Sequence, residues 1–148
     1  VVDRVLQLLE HRLKSYNVRV QIERDQVLPA IDVDPEQFKE LLVNIIVNAC
    51  EAMTEGGSIV IREEVEQNRF NVLQAIVRVR DNGPGIPESI QKKIFQPFFT
   101  TKEEGTGLGL SIASRIIKDH NGQIDIKSKR GDGATFIIRL PVREIRHE

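Results

Sequence analysis

Val2, Val5, Leu6, Leu9 and Leu13 recur at helical spacing and predict a first helix over residues 2–15, with Asn17 as its stop. Val18, Val20 and Ile22 then alternate with polar residues as a half-buried strand does, and Ile31 and Val33 suggest a shorter strand. The strongest helical pattern follows. Asp34 is a good N-cap, Pro35 suits the first helical position, and Gln37 can complete a capping box. Phe38, Leu41, Leu42, Ile45, Ile46, Ala49, Ala52 and Met53 form its apolar face, and Gly56-Gly57 ends it. Two strands are expected near 58–66 and 70–81, then a short helix from Pro87 bearing Ile90 and Ile94. Residues from Gln96 to Gly107 show no period, a length typical of a lid or a disordered loop. Leu110, Ala113, Ile116 and Ile117 share one face of the next helix, which Asn121-Gly122 closes. Two alternating strands follow, one with Ile124 and Ile126, the other with Ala134, Phe136, Ile138 and Leu140, around a Gly131-Asp132-Gly133 turn. The order α-β-β-α-β-β-α-α-β-β, with long strands on short turns, predicts a two-layer α/β sandwich. Its sheet is mixed but mostly antiparallel, with helices on one face.

Composition narrows the function classes. At 148 residues the chain suffices for one domain with a real core. A net charge of −1 argues against nucleic acid or an acidic membrane as a partner held by bulk electrostatics. No apolar run approaches the ~20 residues of a membrane span, and no secretory signal opens the chain. The single cysteine, Cys50, sits in the apolar helical pattern and reads as a small buried hydrophobe, which suits a reducing, cytoplasmic setting. A start at Val1, already inside an amphipathic pattern, suggests a piece of a longer protein.

Four segments could bear chemistry. In Glu104-Gly105-Thr106-Gly107-Leu108-Gly109-Leu110-Ser111, three alternating glycines open into a helix, whose first N–H groups and dipole favour an anion. Taken alone, the run is equally well a flexible loop before a helix. Asn44 and Asn48 lie four apart, on one side of the long helix and opposite its apolar stripe. Their amide oxygens suit Mg²⁺, which keeps most of its waters; a solvated face is the plainer reading. Asp81-Asn82-Gly83-Pro84-Gly85-Ile86 ends a strand, and Asp81 shares the inward parity of Val77 and Val79. A buried acid needs a donor, such as the exocyclic amine of adenine; otherwise it is a turn aspartate bonded to its own backbone. Phe95-Gln96-Pro97-Phe98-Phe99-Thr100-Thr101-Lys102 is either a docking segment or a hydrophobic pin for its loop. P-loop and dinucleotide-fold signatures are absent, and Asp81-Gly85 lacks the acidic pattern of a calcium loop. His11, His120 and His147 lie far apart, and His120 reads as a helix-terminal residue that favours the dipole when charged.

The order of these boxes resembles the ATP-binding catalytic domain of sensor histidine kinases, of the wider group that includes DNA gyrase B, MutL-type mismatch repair proteins and heat-shock chaperone ATPases. The match runs from about Asp34 to Pro141 and more loosely over residues 1–33. The resemblance implies a Bergerat-type ATP-binding fold. It implies that Asn48 ligates Mg²⁺, that Asn44 lies beside the phosphates, and that Asp81 holds the adenine amine, with Gly83, Gly85 and Ile86 at that end. Gly105, Thr106, Gly107, Leu108 and Gly109 match the lid-and-helix segment around the phosphates, Thr135 a residue at the adenine end, and Phe95 and Phe98 the lid box. Asn48-Ala49-Cys50-Glu51-Ala52-Met53 and Phe98-Phe99-Thr100-Thr101-Lys102 are similar to the nitrogen-regulation type of sensor kinase.

Three positions bear on function. Gyrase-like ATPases carry a water-activating glutamate where this chain has Asn44, and an amide is no general base at neutral pH. Many sensor kinases have a lysine and an aromatic where this chain has Glu51 and Ala52, which shifts phosphate neutralisation to Mg²⁺, helix N–H groups and Lys102. The expectation is therefore a catalytic domain, with Asn44 and Asn48 at the reacting phosphate. It would bind Mg-ATP and pass the γ-phosphoryl group to a histidine on a separate dimerisation domain, which in turn serves a response regulator. A gyrase- or MutL-like conformational ATPase is the alternative.

Overall fold

Helical spacing and alternation resolve, in a computed structural model describing residues 2–24, 31, 33–97 and 109–142, into nine elements. These are α1 (Val2–Ser15), β1 (Val18–Arg24), α2 (Pro35–Ala52), β2 (Gly57–Gln67), β3 (Leu73–Asp81), α3 (Glu88–Gln91), α4 (Gly109–Asp119), β4 (Gln123–Ser128) and β5 (Ala134–Pro141). The sheet order is β1-β2-β3-β5-β4. β1 pairs parallel with β2 because α2 lies between them as a crossover, and the other three pairings are antiparallel.

Alternation sends Ile59 and Ile61, Val77 and Val79, and Phe136, Ile138 and Leu140 to one face of the sheet. There they meet Phe38, Leu41, Leu42, Ile45, Ile46, Ala49 and Cys50 of α2, flanked by Val5 and Leu9 of α1 and by Ala113, Ile116 and Ile117 of α4. This is the expected two-layer architecture. On the opposite face Ile76 and Ile137 are also buried, among charged pairs: Arg78–Glu64 at 3.0 Å, Arg62–Glu64 at 3.1 Å, and Arg139 with Asp125. Arginine stems cover apolar surface while the guanidinium stays wet, so this face needs no second layer of helices. No helix among the described residues is long and apolar enough to cross a membrane.

Asn17 and Asn121, at φ 57° and 59°, stop α1 and α4 as the sequence suggests. Three expectations need correction. No strand forms around Ile31 and Val33 among the described residues; Ile31 makes only an isolated antiparallel bridge to Val142. β3 begins at Leu73 rather than near 70, because the Asn68 side chain accepts the Phe70 and Val72 N–H groups and turns the chain first. At the start of α2, Asp34 caps the Glu36 and Gln37 N–H groups, but its own N–H donates to His120 Nε2 (3.1 Å) instead of to Gln37. The other ring nitrogen of His120, Nδ1, donates to the Ile116 carbonyl. The ring thus bridges the end of α4 to the start of α2.

Candidate functional site

One row of register runs Ser128, Ala134, Asp81, Ile59 across four strands, all on the helix-bearing face. Asp81 keeps the inward parity read from Val77 and Val79 and is 5% exposed. Its Oδ1 accepts the N–H groups of Gly83 (2.9 Å) and Ala134 (3.3 Å), and no donor among the described residues reaches Oδ2. Burial pushes this acid above its ordinary range, against the pull of those two backbone bonds. The turn reading and the ligand reading are therefore compatible: one oxygen serves the backbone and the other remains to accept.

The loop after Asp81 is pressed against the β4–β5 hairpin. Gly85, at φ 78°, leaves no room for a Cβ against the Lys129 carbonyl, and Gly133, at φ 76°, none against the carbonyl of Asp81. The Gly131 N–H donates to the Pro84 carbonyl (2.7 Å). The Ser128 hydroxyl accepts from the Ile86 N–H and donates to the Gly133 carbonyl, both at 2.7 Å. Gln91 Nε2 reaches the carbonyls of Ile86 and Ser128, both at 2.9 Å. A Cβ on Gly83 would fall 2.9 Å from Met53 Cγ, so Met53 closes the space behind this loop.

α2 brings the asparagines to the start of α4. Asn44 faces Gly109 with room for a methyl between them: a Cβ built on Gly109 would stand 3.9 Å from Asn44 Cβ and Cγ. Asn44 and Asn48 are half-buried rather than a solvated face, since α2 is flanked by α4 as well as packed on the sheet. The Asn44 Nδ2 is fully buried with no partner among the described residues. Beside it begins α4, and the first N–H groups of a helix have no partner within the helix itself. Ile86 is half-buried within the Asp81 loop. Phe95 packs edge-on to Phe136 (ring centroids 6.2 Å apart), which favours the hydrophobic-pin reading for that residue. Phe98, Lys102, Gly105, Thr106, Gly107 and Leu108 lie outside the described residues.

Thr135 is not brought to this site. It pairs with Arg80 on the opposite sheet face, because strand alternation gives the position beside Asp81 to Ala134. Ala134 contributes through its N–H. Sequence reasoning also passed over Ser128, Gln91 and Met53. Ser128 was readable from the parity of Ile124 and Ile126, whereas the reach of Gln91 depends on how α3 docks.

No group of three or more His, Cys, Asp or Glu side chains among the described residues could hold a metal. The donor set near Gly109 is instead neutral amide oxygen, which fits a hard cation that keeps its waters and shares a ligand's phosphates.

Residues 33–144 match the family model of histidine kinase-, DNA gyrase B- and HSP90-like ATPases. The signal transduction histidine-protein kinase AtoS of Escherichia coli K12 is 40% identical over 142 residues, 96% of this chain and 23% of AtoS. The sensory histidine kinase/phosphatase NtrB of Escherichia coli O157:H7 is 39% identical over 151 residues, 97% of this chain and 42% of NtrB. The chain thus spans less than half the length of these relatives. Among solved structures, the catalytic domain of histidine kinase ThkA superposes with a TM-score of 0.80 at 37% identity, covering 95% of this chain and 89% of that one. ThkA in complex with the response regulator protein TrrA matches at 0.78 and 35%, covering 96% and 39%. Full-length ShkA in complex with AMPPNP matches at 0.82 and 27%, covering 94% and 28%. The chain belongs to the histidine kinase-, DNA gyrase B- and HSP90-like ATPases, and within them to the catalytic domains of histidine kinases.

Proposed function

We propose that this chain is the ATP-binding catalytic domain of a longer two-component sensor kinase and works in the cytoplasm. It would bind Mg-ATP between α2 and the segment before α4 and pass the γ-phosphoryl group to a histidine on a separate dimerisation domain, from which a response regulator is served. Asp81 Oδ2 accepts the adenine amine, and Gly83, Gly85 and Ile86 border the ring. Asn44 and the first N–H groups of α4 face the phosphates. Asn48 would hold Mg²⁺, which supplies charge neutralisation on the phosphates when bound. Lys102, Gly105, Thr106, Gly107 and Leu108 are assigned to the same phosphate end on sequence grounds. The ShkA complex with AMPPNP and the ThkA complex with TrrA support the nucleotide and the regulator respectively.

The observation that carries a kinase over a hydrolase is Asn44. Its amide sits half-buried beside the start of α4, one helical turn before Asn48, and cannot deprotonate water. Without a base there, positioning and charge neutralisation are what the site offers. A time course with γ-labelled Mg-ATP tests this. The chain alone should hold intact ATP with negligible phosphate release and no self-phosphorylation. Adding a histidine-bearing dimerisation domain from the same parent should move label onto that histidine. Steady release by the chain alone, abolished in Asn44 or Asn48 variants, would make it a conformational ATPase instead.

A further inference from the structure

We propose that Ser128 and Gln91 are positioning residues that fix the orientation in which the Asp81 carboxylate presents its free oxygen to the ligand, and so set the preference for a base bearing an exocyclic amine. The inference rests on the adenine reading of Asp81 and adds the machinery that makes that carboxylate selective. The peptide unit between Gly133 and Ala134 carries the argument. In a trans peptide the C=O and the N–H lie in one rigid plane and point in opposite directions within it. Ser128 Oγ–H holds the Gly133 C=O at 2.7 Å, and the Ala134 N–H at the opposite edge of the same plane donates to Asp81 Oδ1. Fixing one end aims the other.

The same hydroxyl accepts the Ile86 N–H at 2.7 Å, which ties down the far end of the loop whose Gly83 N–H is the second donor to Oδ1. Both donors therefore converge on one oxygen because a single side chain, donating and accepting at once, links the two segments that carry them. A hydroxyl can do both; a methyl can do neither. Gln91 Nε2 then bridges the carbonyls of Ile86 and Ser128 and so locks α3 onto the same junction. With Oδ1 occupied, the carboxylate cannot turn without breaking two backbone bonds, and Oδ2 of the ionised group is held as the acceptor that faces the ligand. An amine donor matches that oxygen, whereas the 6-oxo group of inosine opposes it with a second acceptor.

The test compares affinities for ATP and inosine triphosphate by calorimetry for the unmodified chain and for Ser128→Ala, Ser128→Thr and Gln91→Ala. It adds hydrogen exchange at the Gly83 and Ala134 amides. Losing one neutral bond should weaken ATP binding by about fivefold in Ser128→Ala while leaving inosine triphosphate within about twofold, which narrows the preference. Gln91→Ala should do the same to a smaller extent, Ser128→Thr should keep the preference, and both amides should exchange faster in Ser128→Ala. A general loosening of the fold would lower both affinities together and would refute the selective role. An unchanged ratio in both Ser128→Ala and Gln91→Ala, with the unmodified chain still preferring ATP, would sink the inference and leave the adenine reading standing. No preference in the unmodified chain would overturn the adenine reading and this inference with it. Should Ser128→Ala fail to fold, Gln91→Ala decides alone.

Discussion

Asp81 meets two opposed demands. The fold buries its carboxyl, which favours the neutral form, while an acceptor for an amine must be ionised. Because its folded pKa is raised above the ordinary 3.8, the unfolded chain ionises first as pH rises. Stability is thus highest below that ordinary value, falls until the raised folded value is passed, and is constant above it. Asp81→Asn removes this cost and keeps an Oδ1 for Gly83 and Ala134. At neutral pH the variant should be as stable as the parent or more so in urea titration, with the difference vanishing in acid. The same change turns Oδ2 into a donor facing a donor. Adenine-nucleotide affinity should fall at least tenfold by calorimetry, about 1.4 kcal/mol or more. In the parent, affinity should rise with pH through the raised value.

At the scale of elements, helix ends and turns are held by single atoms. Asp34 Oδ1 accepts two N–H groups at the start of α2, so Asp34→Ala should cost about 1 kcal/mol in thermal or urea unfolding. The junction of the Asp81 loop and the β4–β5 hairpin offers one glycine on each side for comparison. Gly131, at φ 90°, has open space where a Cβ would go, so Gly131→Ala carries only the left-handed strain, about 1–2 kcal/mol. Gly85 adds a collision with the Lys129 carbonyl. Gly85→Ala should therefore destabilise by more than Gly131→Ala and should weaken nucleotide binding as well, since the Asp81 loop must move off the hairpin. Equal effects of the two changes would show that the close approach at Gly85 is not a constraint.

Across the whole molecule, one arginine ties three elements together. Arg24, at the end of β1, donates to Glu63 of β2 (2.8 Å) and to Asp3 of α1 (2.9 Å), and the Glu63 bond raises its already high pKa. The Glu63 side chain is 9% exposed but that of Arg24 is 41% exposed, so solvent screens half of the pair. Arg24→Met leaves Glu63 without its partner and should cost about 1–2 kcal/mol, below the loss for a fully buried pair. The loss should persist at high salt for the Glu63 part and shrink for the exposed Asp3 part, which denaturation at two ionic strengths separates. The two-layer assembly also explains where one sequence reading went astray. Two-residue alternation decides the face of every strand residue, so Thr135, one step from Ala134, is carried to the side away from Asp81.

Most of the fold was legible in the sequence because local periodicity decides it. Val18-Val20-Ile22, the α2 face from Phe38 to Met53, and the parity of Val77, Val79 and Asp81 are short-range patterns, each tied to one burial requirement. The candidate site was legible in its residue types and order: two amides four apart, an acid at a strand end, glycines beyond it. Tertiary structure decided what those residues meet. The Asp34 N–H found His120, 86 positions away, rather than Gln37 three positions away, because the end of α4 packs beside the start of α2. Asn44 became a half-buried amide beside the start of α4 for the same reason, and Ser128 became the pin of the Asp81 loop because β4 and β5 bring it into that row. Periodicity acts over a turn of helix or two residues of strand, so the sequence alone could assign faces and ends. Which polar atoms are shared between distant segments depended on how those faces were stacked.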